Sequence, residues 1–96
     1  MFVVVSYDIG NTEARSGARR LRRVAKVCQN FGQRVQFSVF ECNIGDTQWA
    51  QMKADLLEAV DLKVDSLRFY MLGNQPNRIE HYGVKPALDF ESTLII

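Results

Sequence analysis

Ninety-six residues, 47% hydrophobic and 24% charged, suffice for one packed domain near the small end of what sustains its own core, and exclude a disordered chain. No run of about 18 apolar residues occurs, which excludes a helical membrane span, and two cysteines with one histidine (Cys28, Cys42 and His81) are too dispersed for a zinc site. The net charge of +1 conceals a segregation: no carboxylate lies between Glu13 and Glu41, while Arg15, Arg19, Arg20, Arg22, Arg23, Lys26 and Arg34 in that interval are seven of the twelve basic residues.

Phe2 to Val5 is an unbroken run of aromatic and β-branched residues, which predicts a strand. No basic residue precedes the run and it is too short for a signal peptide, so a cytoplasmic location is expected. The strand ends in Ser6, Tyr7 and Asp8, and Gly10 breaks it. Alternation puts Phe2, Val4, Ser6 and Asp8 on one face and Val3, Val5 and Tyr7 on the other. Both faces are largely apolar, so both need cover. For Asp8 this stretch leaves two readings open. It is a turn residue or helix cap beyond a strand, or a metal-binding or catalytic carboxylate delivered to a strand end.

A helix is predicted next, capped by Asn11 or Thr12, with Ala14, Ala18, Leu21, Val24, Ala25 and Cys28 at helical spacing. It should stop near Asn30, with Gly32 in a left-handed terminal conformation, and Gly17 is a weak point inside it. Arg15, Arg19, Arg22 and Lys26 form a stripe that Arg20 and Arg23 widen. The stripe is either a solvated face or a surface for an anionic partner. No acidic residue is placed to make i,i+4 pairs with it, which favours the partner, a phosphate backbone first.

Arg34 to Asn43 alternates as a short strand followed by a longer one, with a bulge or bend near Phe37 to Val39. Thr47 to Val60 reads as a helix with Trp49, Met52, Leu56, Leu57 and Val60 on its apolar stripe. Lys63 to Asp65 is a turn, Ser66 to Leu72 a strand, and Arg78 to Tyr82 a short strand. Both cysteines are expected as buried thiols. The order β-α-β-β-α-β plus an extra strand predicts an α+β, ferredoxin-like single domain over residues 1–96, with both helices on one sheet face. The other face, where Phe2, Val4 and Phe40 are expected, then calls for a partner subunit. The tail ending in Leu94, Ile95 and Ile96 also needs a receiving surface.

The stretches VSYDI, ARRLRRVAKVCQNFG, GQRVQFSVFEC, DSLRFYMLGN and IEHYGVKP, in that order, resemble the small CRISPR-associated adaptation proteins, the second of the two core spacer-acquisition proteins, also described as CRISPR-associated endoribonucleases. The resemblance runs from Phe2 to Ile96. It implies a role in antiviral defence and a homodimer whose sheets pack face to face, with residues 78–96 as a C-terminal strand and tail reaching the partner protomer. It also implies a magnesium-dependent endonuclease acting on single-stranded RNA or double-stranded DNA. Other members of the family are non-catalytic scaffolds that join dimers of the CRISPR integrase, the first core adaptation protein, around DNA.

Position by position, the resemblance makes Asp8 the metal ligand, with one Mg²⁺ shared by Asp8 of both protomers. It places Tyr7, Arg34, Ser38 and Phe40 near the site, and Arg15 and Arg19 in the family's basic helix. In this reading Arg34 neutralises developing charge and Ser38 orients a water or phosphate. Tyr7, with an ordinary pKa near 10, suits positioning better than base chemistry. Phe40 stacks on a base or fills the dimer interface.

Overall fold

The structure, a computed structural model, describes residues 1–73 and 78–84. Its centre is β1 (Phe2–Asp8), which pairs antiparallel with β3 (Val39–Asn43) on one side and β4 (Ser66–Leu72) on the other. Helix α1 (Arg15–Phe31) carries the chain from β1 to β2 (Gln33–Gln36), beyond β3. Helix α2 (Asp46–Ala59) carries it from β3 to β4, beyond β1. Each crossover thus leaves a gap that the other half fills. With β5 (Arg78–Gly83) at the edge, the sheet order is β2-β3-β1-β4-β5. This is the expected ferredoxin-like arrangement of two interleaved split βαβ units plus an extra strand. No helix of the described residues is long and apolar enough to cross a membrane.

Strand alternation decides what is buried. Val3, Val5 and Tyr7 face Met71, Phe69 and Leu67 across the ladder to β4, and Val3 and Val5 face Cys42 and Phe40 of β3. All are core residues, and the helices cover them with Val24, Cys28, Trp49, Met52 and Leu56. Trp49 meets Phe69 edge-on at 4.8 Å, a geometry worth about 1 kcal/mol beyond burial. Lys53 bridges α2 to the edge strand, 2.7 Å from Glu80 and over the Tyr82 ring.

The uncovered face carries Phe2 and Val4, as expected, together with Tyr70, Leu72 and Ile79. Phe40 is not there. It pairs with Val5, so it points at the helices and is fully buried in its own chain, which corrects its expected place on the bare face. Its face is set by the β1–β3 register, while the β2–β3 hairpin shifts register between Arg34 and Gln36 and turns at Phe37 and Ser38, in line with the expected bend. Val35 and Phe37 end up exposed, in the edge strand and at the turn. The described part of the expected C-terminal element, β5, pairs with β4 of the same chain. Leu94, Ile95 and Ile96 lie outside the described residues.

Helix α1 begins at Arg15, after a turn in which the Ala14 N–H donates to the Asn11 carbonyl and Asn11 has φ 56°. Gly17 is no weak point: a Cβ there would come within 2.0 Å of the Asn11 oxygen, so only glycine lets the helix seat on this turn. Gly32 is extended (φ −158°) rather than left-handed.

Asp65, read from sequence as a turn residue, is the buried charge of the fold. Its Oδ1 accepts from the Gly10 N–H at 2.9 Å, and its Oδ2 accepts from the Asp61 N–H at 2.8 Å and Arg20 Nε at 2.9 Å. Arg20 also donates to the Gly10 carbonyl at 3.0 Å. The Asp65 carbonyl accepts from the Val84 N–H. Gly83, with φ 92°, passes so close that a Cβ would come within 2.1 Å of that carbonyl oxygen. One residue therefore ties the end of β1, helix α1, the α2–β4 loop and the end of β5 together. Asp65→Ala strands the Arg20 charge and two N–H donors. It is expected to lower unfolding stability by about 3–5 kcal/mol, measured by denaturant unfolding.

The thiols give a second prediction. Burial pushes Cys28 up to about 12 and Cys42 up to about 11, from an ordinary 9.0. Ellman's reagent at pH 8 should leave both unmodified in the folded chain and react with both after denaturation. Between pH 9 and 11 the unfolded chain releases thiol protons that the folded chain keeps, so stability is full below pH 9 and falls above it.

Candidate functional site

Strand β1 carries Asp8 to the edge of the domain and leaves it exposed, paired in the ladder with Ser66. Among the described residues its carboxylate has no hydrogen-bond or ion-pair partner. It lies on the face of Phe2, Val4 and Ser6, which the helices do not cover. No three His, Cys, Asp or Glu side chains gather anywhere among the described residues. Among the described residues of one chain, this strand end offers a cation the Asp8 carboxylate alone. Its hard oxygens and its exposure fit Mg²⁺, which takes oxygen ligands and keeps several of its waters.

Three of the other residues matched to the site, Tyr7, Arg34 and Phe40, lie on the opposite face from Asp8. Tyr7 points the opposite way, into the helix-side core, and is 4% exposed. Its ring lies 6.3 Å from that of Phe40. Burial raises the Tyr7 phenol above its ordinary value, and the Arg34 guanidinium offsets part of this. Arg34 covers the exposed end of this stack, 5.1 Å from the Phe40 ring centre and 5.9 Å from that of Phe37. Tyr7, Arg34 and Phe40 thus form one cluster, on the far side of the sheet from Asp8. Ser38 is half-buried at the β2–β3 turn, and its carbonyl accepts from the Tyr7 N–H at 3.2 Å, which brings that turn to the sheet end where Asp8 lies.

The basic helix separates into two roles. Arg19, Arg22, Arg23 and Lys26 are exposed and line a shallow depression with Val27. At about 100° per residue they centre opposite the buried Val24 and Cys28, facing directly away from the sheet. Arg15 continues the line toward the start of the helix. None of these five has an acidic partner among the described residues. Arg20, placed with them by sequence, is instead bonded to Asp65 with 17% of its side chain exposed, which corrects its assignment to the binding surface. A signal for this is present in the sequence. On the helical wheel Arg20 falls beside Val24, at the border of the apolar arc, where a cation needs a buried anion.

His81 accepts from Arg68 Nε at its Nδ1 (3.1 Å), so its Nε2 carries the proton and donates to the Val84 carbonyl at 2.9 Å. These bonds hold the end of β5. They leave the ring no lone pair for a nucleophile.

The family model for the CRISPR-associated protein Cas2 matches residues 1–78. A CRISPR-associated endoribonuclease Cas2 from Chlorobaculum tepidum is 58% identical over 97 aligned residues, covering 100% of both chains. A CRISPR-associated endonuclease Cas2 from Halalkalibacterium halodurans is 49% identical, covering 99% of each. Among solved structures, Cas2 of Streptococcus pyogenes at pH 6.5 superposes with a TM-score of 0.70 and 49% identity, over 78% of this chain and 89% of that one.

The outward stripe generates a prediction of its own. Reversing two of its charges with Arg19→Glu and Arg22→Glu should weaken binding to duplex DNA. It should also lower the slope of log affinity against log salt by about 0.9 for each phosphate no longer neutralised, measured by fluorescence anisotropy from 50 to 200 mM salt.

Proposed function

The chain belongs to the Cas2 family of CRISPR-associated proteins, and from that premise we propose that it is a metal-dependent endonuclease of CRISPR adaptation, hydrolysing phosphodiester bonds of RNA or double-stranded DNA. The observation that carries this reading is the exposed Asp8 carboxylate at the end of β1, without a partner among the described residues and on the sheet face that the helices leave open.

In this reading two copies pack through their uncovered sheet faces, burying Phe2 and Val4, and the two Asp8 side chains hold one Mg²⁺ between them. The bound cation supplies Lewis acidity toward the phosphodiester. Asp8 of each copy would hold the ion through its hard carboxylate oxygens, a donor set that suits a cation which keeps several of its waters. Ser38, at the same end of the sheet, hydrogen-bonds the substrate phosphate. Arg34, on the other sheet face, meets the strand as it leaves the site. Tyr7, buried with a raised pKa, fixes the Arg34 cluster and takes no proton.

A second reading is favoured by one specific observation: the basic stripe and Asp8 face opposite directions. Nucleic acid can be held on Arg19, Arg22, Arg23 and Lys26 without approaching the carboxylate. That suits a scaffold that binds duplex DNA and joins dimers of the CRISPR integrase, with cleavage idle. One pair of measurements separates the two. Asp8→Ala, and separately removal of divalent metal by EDTA, is expected to reduce cleavage by at least about 10³-fold while leaving duplex affinity intact. Cleavage that survives either treatment sinks the nuclease reading. Spacer acquisition in cells that survives Asp8→Ala assigns the physiological role to the scaffold.

A further inference from the structure

Asp8 makes no side-chain bond among the described residues that would fix it, so its position is set by the backbone. Upstream, that backbone is held by the ladder to β4, where Asp8 faces Ser66. Downstream, Ile9 is anchored in the core at 8% exposure, and both polar groups of Gly10 are gripped. The Gly10 N–H donates to Asp65 Oδ1 at 2.9 Å, and the Gly10 carbonyl accepts from Arg20 Nη2 at 3.0 Å. Asp65 is fully buried and adjoins Ser66, so the two restraints on Asp8 converge on one residue pair.

We propose that the buried Arg20–Asp65 pair positions the Asp8 carboxylate for the cation, by holding Gly10 from both sides. The inference rests on the reading of Asp8 as a metal ligand. Arg20 and Asp65 touch neither the cation nor the substrate. They act through Gly10 and the two residues before it. The guanidinium suits the task because its fork reaches both Asp65 oxygens and the Gly10 carbonyl at once (2.9, 3.4 and 3.0 Å). A lysine ammonium at this place keeps the charge but not the planar fork, and so loses the hold on the Gly10 carbonyl, and with it one side of the restraint, while still answering the buried carboxylate.

The test is Arg20→Lys in the full chain, beside the unaltered chain and Asp8→Ala. Three quantities are read: cleavage of a single-stranded RNA and a duplex DNA, binding of Mn²⁺ alone by electron paramagnetic resonance, and hydrogen exchange of the Gly10 amide by NMR. Arg20→Lys should lower kcat by about 10-fold to 100-fold with KM unchanged, because a misplaced group costs turnover rather than binding. It should weaken the Asp8-dependent Mn²⁺ binding about tenfold and speed Gly10 exchange. In the unaltered chain that amide should be as protected as those of β1. An unchanged kcat and Mn²⁺ affinity in Arg20→Lys overturns the proposal, as does a KM that rises in step with the loss, which makes Arg20 a substrate contact. If Arg20→Lys does not fold, a Gly10 amide that exchanges freely in the unaltered chain overturns it, and a protected one supports it. An unaltered chain that neither cleaves nor binds Mn²⁺ at Asp8 overturns the nuclease reading and this one together. Cleavage that Arg20→Lys leaves untouched overturns this one alone.

Discussion

A carboxylate taken wholly out of water loses several kcal/mol of hydration unless donors meet its lone pairs. At Asp65 the donors come from the loop after β1, the loop before β4, and helix α1. The compensation therefore exists only when those segments are assembled together. A hydrophobic core tolerates small slides of one layer over another, because dispersion has no direction. A charge with assigned donors does not. The interleaved fold needs such a fixed point, since neither split βαβ half closes its own sheet.

The architecture is legible in the sequence because it rests on periodicity. Val3, Val5, Tyr7, Leu67, Phe69 and Met71 alternate cleanly, and Trp49, Met52 and Leu56 recur at helical spacing. Phe40 is misplaced because its face is set by its pairing with Val5 of β1, a register between strands distant in sequence that alternation within one strand does not give. A stripe read by charge alone misplaces Arg20 because it ignores partners distant in sequence, and Asp65 is 45 residues away. Helix propensity makes Gly17 a defect because it describes an isolated helix, whereas this glycine answers a close approach by Asn11.

The candidate site shows the same division between local and assembled information. That Asp8 ends a strand follows from the sequence. That Tyr7, Arg34 and Phe40 cluster on the opposite face from it follows only from the ladder. Two surfaces with separate chemistry result: a cationic one turned outward from the helix layer, and a sheet face that carries a carboxylate among exposed apolar side chains. A sheet with helices on one side leaves the second surface open to pairing. Phe2 at 37%, Leu72 at 38% and Ile79 at 46% exposure give it an apolar content that water alone covers poorly.

The close approach of Gly17 to the Asn11 carbonyl has a consequence for how this chain can vary. From Ile9 to Gly17 the chain is pinned at close intervals: Ile9 in the core, Gly10 held by two side chains, Asn11 left-handed, the Ala14 turn, then a helix seated on that turn. The connection has no slack, so an added or deleted residue there cannot be absorbed as it is in most surface loops. Its length is a fixed dimension, in the engineer's sense. An inserted tag or fused domain belongs elsewhere on the chain.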